Sequence, residues 1–276
     1  MSPSSPTDVA NLPAGQAPPL PAGGMLRRIA ATRYVTPLRE GGSLPAIVEG
    51  DDDGLYVLKF RGAGQGARAL VAELVAGGLA RVLGLPVPEI VLMELDADLA
   101  RTEADPEIQH LIRASAGTNL AIDYLPGSVT FDPVVEAPEA ALASAIVWFD
   151  AFTSNVDRTA RNTNLLVWHR ALWLIDHGSA LYFHHGSEDW EARARDPFPR
   201  IADHVLLPFA SALEQADARL PALLTRERIA TVVAGVPDAW LAPDEPAARR
   251  AAYVDYLCRR LQAPRAFAQE AIRARL

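Results

Sequence analysis

Between residues 29 and 60 the apolar positions come in short runs broken by glycines and acidic residues. "AIVEG" (46–50) and "LYVLKF" (55–60) flank "DDDG" (51–54), and apolar runs on either side of an Asp-Gly predict a β-hairpin. A glycine loop, "REGGSLP" (39–45), precedes it. In "GARALVAELVAGGLARVLG" (66–84) the apolar residues fall at 70, 71, 74, 75, 79, 82 and 83, which is helical spacing, with Gly84 where a C-terminal cap belongs. "LPVPEIVLMEL" (85–95) and "NLAIDYL" (119–125) read as further strands. The first part of the chain is thus a small, mostly β unit carrying one long helix.

The pattern then changes. "PEAALASAIVWFDAFTSN" (138–155) is apolar at 142, 145, 146, 149 and 152, as a buried helix is, and Trp148 belongs to its core. A polar loop, "VDRTARN" (156–162), leads into "LLVW" (165–168) and "ALWLID" (171–176). These two runs are separated only by His169 and Arg170, which predicts a tight hairpin with Trp173 inside. Beyond residue 200 the chain reads as helical: Val254, Leu257, Cys258 and Leu261 keep helical spacing after Asp244, a candidate cap. No internal repeat occurs. The order is a β-rich lobe, a short linking strand and a helical lobe, an α+β arrangement.

Composition narrows the class. Half of the 276 residues are hydrophobic and 22% are charged, the profile of an ordinary soluble globular chain. A net charge of −8 argues against a nucleic-acid partner or an anionic membrane surface, and no apolar run is long enough to insert in a membrane. Residues 1–24 hold six of the 22 prolines and few large apolar groups, so a flexible Pro/Ala-rich tail is expected, with no secretory signal. Met25 opens the foldable region and is a candidate start. The single cysteine, Cys258, reads as a structural thiol in a reducing cytoplasm.

One composition feature points at chemistry. Lys59 is the only lysine, all other basic residues being arginine. Where most surface sites accept either cation, a lysine persists best where a compact point charge is needed and a planar fork is not. Lys59 lies on a strand after the glycine loop and fourteen residues before Glu73 on the following helix. A strand lysine held by a helix glutamate can reach nucleotide phosphates, and amides of Gly41, Gly42 and Ser43 can cover them. The plainer readings are a polar helix-edge glutamate and a simple turn at the glycines. No G-x-x-x-x-G-K-[ST], H-E-x-x-H or G-x-S-x-G occurs.

The stretch "NVDRTARNTNLLVWHRALWLIDHG" (155–178) gathers Asp157, Asn162 and Asp176 around one short hairpin. One carboxylate to orient a hydroxyl, with an amide and a second carboxylate as oxygen ligands for a cation, is the equipment of phosphoryl transfer. Singly, each has a plainer role in a turn or a strand end. Asp150, on the buried helix, needs a partner for its carboxylate and is a candidate buttress of the loop. His184 and His185 read as a solvated loop whose adjacent side chains point apart, a poor metal pair.

"YVLKF", the helix with Glu73, "DRTARN" and "LIDHG" resemble the HipA-like kinases, over roughly residues 29–260. The resemblance implies a two-lobed protein-kinase-like fold: an N-lobe over 25–125 and a larger helical C-lobe over 126–276. It implies ATP and Mg2+ as cofactors, with Asp157 as base, Asn162 and Asp176 as metal ligands and Lys59 on the phosphates. Asp123, Tyr124 and Leu125, in "AIDYL", would offer their backbone to adenine, and Ser43 would be an autophosphorylation site. The implied acceptor is a hydroxyl, first a protein serine or threonine; the alternatives are a lipid or small molecule, or a nucleotide-binding pseudokinase acting as an interaction module. The sequence departs from the family at Thr159, where a histidine is usual, and at Arg161, where many relatives have lysine. The resemblance does not extend to the segment through which HipA toxins engage their antitoxin, so toxin behaviour is not among its implications.

Overall fold

The computed structural model describes residues 26–38, 44–64, 66–186 and 189–276. The tail, Met25 and the loop residues Gly41, Gly42 and Ser43 lie outside the described residues.

The N-terminal part is built from β1 (Arg28–Pro37), β2 (Ala46–Gly50), β3 (Leu55–Lys59), α1 (Ala67–Val82), β4 (Ile90–Leu95), α2 (Pro106–Ala114) and β5 (Gly117–Asp123). The strands close into a barrel in the order β1-β2-β3-β5-β4, and β1 closes it by running parallel to β4. β1 has no marked apolar alternation and is missing from the sequence reading, because only Ile29 of its side chains is buried. The β2–β3 hairpin forms as expected, but its left-handed residue is Asp53 (φ 62), with Gly54 following. Gly84 has φ 75, past the end of α1, a conformation that glycine adopts without a Cβ penalty.

Two cores explain why β4 and β5 lack the alternation of half-exposed strands. Val48, Leu58, Met93 and Ala121 point into the barrel, which α2 plugs with Ile108, Leu111 and Ile112. Ile90, Leu92, Leu120 and Ile122, on the opposite face, pack against α1 in the main core. A strand buried on both faces reads as an unbroken apolar run. The run 85–89 is not a strand: Pro86 and Pro88 interrupt it, although Leu85 and Val87 are buried.

After β6 (Val129–Thr130) comes α3 (Ala140–Thr153), buried on all sides from Ala143 onward. The predicted hairpin is present as β7 (Leu165–Trp168) and β8 (Ala171–Leu174) in the sheet β6-β7-β8. His169 and Arg170 both have positive φ (48 and 63), the conformation of a two-residue type I′ turn. The amide of Leu174 donates to the carbonyl of Pro86 at 2.8 Å, anchoring β8 beside the entry to β4.

The remainder is helical: α4 (Trp190–Arg193), α5 (Leu213–Arg219), α6 (Arg226–Ala234), α7 (Pro246–Arg260) and α8 (Ala266–Arg275), joined by short 3-10 turns. Glu245, not Asp244, caps α7, accepting from the amides of Ala247 (3.0 Å) and Ala248 (2.6 Å), because Pro246 fixes the first helical position. Asp244 pairs with Arg249 instead. Arg260, at the end of α7, is buried and donates to the carbonyls of Ala151 (2.9 Å) and Phe152 (2.8 Å), satisfying the C-terminus of α3. Cys258 is half-buried with a free thiol that burial pushes up. Among the described residues no helix is long and apolar enough to cross a membrane.

Candidate active site

Lys59 ends β3 with its neighbours Leu58 and Phe60 inside the barrel, so strand alternation turns Lys59 to the outer face, toward α1. There Nζ donates to Glu73 Oε2 at 2.6 Å and to Asp176 Oδ1 at 2.7 Å. Glu73 is fully buried on α1, so the helix-edge alternative is excluded. Burial opposes the charge on each partner, yet the ion pairs outweigh it. Lys59 is raised above the ordinary lysine range by Asp176 and Glu73, and Glu73 is held well below the carboxylate range chiefly by Lys59. His177 is also fully buried, with Nδ1 3.5 Å from Glu73 Oε1, beyond a good hydrogen bond.

Asp176 lies past the end of β8 in the left-handed region (φ 54), an uncommon conformation for a non-glycine residue and one that clusters at functional sites. Its side chain is 45% exposed, open to a ligand on the face away from Lys59.

The polar loop begins where Ser154 turns left-handed (φ 55) and ends α3. Asn155 accepts the amide of Asp157 on Oδ1 at 3.2 Å. Asn162 Nδ2 donates to Asp157 Oδ2 at 3.0 Å, and Asn164 Nδ2 donates to the Asp157 carbonyl at 2.7 Å. Asp157 Oδ1 has no such partner among the described residues. Burial first, and the nearby Asp176 charge second, push the Asp157 carboxyl up, against the amides of Asn164 and Asn162.

Asp157, Asn162, Asp176, Lys59 and Glu73 are therefore assembled at one place from β3, α1, the loop and the end of β8. The oxygens of Asn162 and Asp176 are hard donors, and among the described residues no group of three or more His, Cys, Asp and Glu side chains could hold a metal alone. A set of one carboxylate and one amide suits a cation that takes its remaining oxygens from phosphate and water, as Mg2+ does.

In the linker two of the three backbone amides are already engaged. The amides of Asp123 and Tyr124 donate to the carbonyls of Glu89 (2.8 Å) and Leu55 (3.0 Å), so both are used within the barrel. Asp123 pairs across from Tyr56 at the barrel end. Burial, and then the Glu89 charge, raise its carboxyl to about 6. A carboxylate whose folded pKa exceeds its unfolded value costs stability as pH rises through that interval. Asp123→Asn is expected to be more stable than the parent at pH 8 by ~1–2 kcal/mol, discounted for partial exposure, and equal to it near pH 4. Urea midpoints at the two pH values measure this, and an equal shift at both would contradict it.

Several site residues escaped the sequence. Asp150 does have the partners its burial requires: Arg158 Nε at 2.5 Å, His204 Nε2 at 2.9 Å and Asn155 Nδ2 at 3.0 Å. Of these, Arg158 was visible only as one arginine in "DRTARN", and His204 carried no signal. His184 corrects the solvated-loop expectation. It is buried in the 3-10 turn Tyr182–His185, with Nδ1 2.9 Å from Tyr253 Oη and Nε2 3.2 Å from His185 Nε2, so the two rings face each other. Burial lowers His184 to about 3.

A family model described as HipA-like kinase matches residues 32–265. No curated protein matches by sequence. Among solved structures, the Helicobacter pylori proinflammatory kinase CtkA is similar at 13% identity and a TM-score of 0.53, covering 90% of this chain and 97% of that one. At that identity the likeness concerns the fold, a mixed α/β fold with a β-rich N-terminal and a helical C-terminal part. A Golgi casein kinase is similar at 11% identity and a TM-score of 0.44, over 91% of this chain and 72% of its own, too low to add to the assignment.

Proposed function

The chain belongs to the HipA-like kinase family and is a phosphotransferase; on that premise we propose that it transfers the γ-phosphate of ATP, with Mg2+, to a hydroxyl, and that the acceptor is a protein serine or threonine. The observation that carries this reading is the bridge from Lys59 Nζ to Glu73 and Asp176 (2.6 and 2.7 Å), which joins residues 117 positions apart into one charged site.

In this reading the barrel with α1 is the N-lobe (25–125), residues 126–276 are the C-lobe, and 1–24 is a tail. The nucleotide lies between the lobes, with its adenine along Asp123–Leu125, where Leu125 keeps an amide that no described residue accepts. The same reading assigns Gly41, Gly42 and Ser43, outside the described residues, to phosphate binding. Lys59 exchanges its contact with Asp176 for phosphate oxygens while Glu73 keeps holding it, so a positive charge stays where negative charge develops. Asp176 and Asn162 would hold Mg2+, which would supply positive charge to offset that of the phosphates. Asp157 Oδ1 takes the acceptor hydroxyl, orients its oxygen in line and receives its proton, while Oδ2 stays tied to Asn162. A lipid acceptor is disfavoured by the net charge of −8, which an anionic membrane surface repels. The location proposed is cytoplasmic.

Calorimetry with ATP, with and without Mg2+, tests the reading. Wild type is expected to bind in a Mg2+-dependent manner, and Asp176→Asn to lose about tenfold or more of that affinity, since it removes the only carboxylate among the proposed ligands. Equal binding by Asp176→Asn would remove Asp176 from the metal site; no binding by wild type would refute the nucleotide reading.

A further inference from the structure

Behind the candidate site lies a second polar cluster, fully enclosed by the helical core. Asp150 and Arg158 are both buried to within 1% of complete, and His204 to 5%. Asp150 Oδ2 accepts from Arg158 Nε (2.5 Å) and from His204 Nε2 (2.9 Å). The tautomer of His204 follows from its other nitrogen: Nδ1 accepts the amide of Leu206 at 3.0 Å, so the proton is on Nε2 and points at Asp150. Burial favours the same neutral ring.

The cluster touches the loop at several points. Arg158 Nη1 donates to the carbonyl of Asn164 and reaches that of Ile175 at 3.4 Å, and Ile175 immediately precedes Asp176. Asp150 Oδ1 accepts from Asn155 Nδ2 (3.0 Å), and Asn155 holds the amide of Asp157. Val205 donates to the carbonyl of Arg158 at 3.0 Å, and His204 bridges Thr159 through its backbone. Arg158 Nη2 is buried with no hydrogen-bond partner among the described residues, so the ion pair is incompletely satisfied. A buried pair with an unmet donor is a poor device for stability and a better one for enforcing a single geometry.

We propose that His204, acting through Asp150 and Arg158, is a positioning residue for phosphoryl transfer, setting the placement of Asp157 relative to Asp176. The inference rests on the kinase reading above. Its physical content is that Arg158 ties the two ends of the site, the Asn164 and Ile175 carbonyls, to one buried carboxylate. His204 keeps that carboxylate from rotating. Fifty-four residues separate His204 from Asp150, so the segment 199–207 takes part in the geometry of the reaction without touching substrate.

Two substitutions separate the contacts of His204. Glutamine places an amide N–H where Nε2 is and keeps the donor to Asp150. Asparagine keeps an acceptor near Nδ1 for the Leu206 amide and loses Asp150. Transfer from γ-labelled Mg·ATP is expected to stay within about threefold in His204→Gln and to fall about tenfold in His204→Asn; in Asp150→Asn/Arg158→Met, which removes both charges together, it is expected to fall about 10²-fold, as an ångström-scale misplacement can cause. Mg·ATP affinity is expected to change by less than about threefold in all three, because the phosphate and metal groups are untouched. Hydrogen exchange of peptides covering 155–164 and 175–177 is expected to accelerate in His204→Asn but not in His204→Gln, with α3 protected in both. Equal exchange in wild type and His204→Asn, or equal rates in the asparagine and glutamine variants, would overturn the proposal. If wild type neither binds nor turns over ATP, the kinase reading fails by itself, and the exchange result still decides whether the cluster positions the loop.

Discussion

Asp157→Asn is expected to slow phosphoryl transfer about 10²- to 10⁴-fold, the range for losing a general base, with Mg·ATP affinity changed by less than about threefold. Asparagine is nearly isosteric and preserves the loop, because its amide oxygen can still accept from Asn162 and the other contacts that fix residue 157 are made by its backbone: its amide to Asn155 and its carbonyl from Asn164. The change is confined to the side-chain oxygens, where a carboxylate that accepts a proton becomes an amide that cannot. Burial and the Asp176 charge already raise this carboxyl, which brings its proton affinity closer to that of a useful base. Single-turnover transfer from γ-labelled ATP measures the effect. A rate unchanged within a few-fold would show that Asp157 does no more than shape its loop.

Lys59→Met is expected to lose detectable Mg·ATP binding and also about 3–5 kcal/mol of stability, the cost of leaving a buried carboxylate without its partner. The second effect follows from Glu73, which is fully buried on α1 and has Lys59 at 2.6 Å as its close cation. Adding Glu73→Gln should recover most of the stability, because the residue left behind is neutral, while binding stays lost. That divergence identifies the lysine as a phosphate ligand and not only a structural ion pair. Lys59→Arg should retain the stability better than it retains binding, since a planar guanidinium keeps the charge but cannot place it as one point between Glu73 Oε2 and Asp176 Oδ1. Urea denaturation and calorimetry on the same four proteins measure both. Binding that returns with Glu73→Gln would contradict the role given to Lys59.

Much of the site was legible because its chemistry is local in sequence. Asp157 and Asn162 share one short loop, which keeps them within reach of each other, and the Thr159 amide to the Asn162 carbonyl closes it. The hairpin after them was readable from two apolar runs around a two-residue turn. Lys59 stood out by composition alone, and Glu73 by its place on the next helix. In the linker, "AIDYL" (121–125), the sequence does not show that the Glu89 and Leu55 carbonyls take the amides of Asp123 and Tyr124. His184 misled for a related reason: the sequence after it, His185 to Asp189, is polar, while its neighbours in space are Tyr253 and the core.

The amino-acid sequence alone determined the order of most elements, the candidate side chains for phosphoryl transfer and the family resemblance, all of which depend on spacing within a few turns or strands. Only the tertiary structure decided that the strands close into a barrel, since β1 is mostly exposed and its parallel pairing with β4 leaves no periodic trace. Only it joined Lys59 to Asp176, and His204 to Asp150, across 117 and 54 residues. The reason is that periodicity records which face of an element is buried, whereas a contact between distant elements depends on how those faces are stacked. A buried charge announces that it needs a partner, and only the packed chain says which one it found.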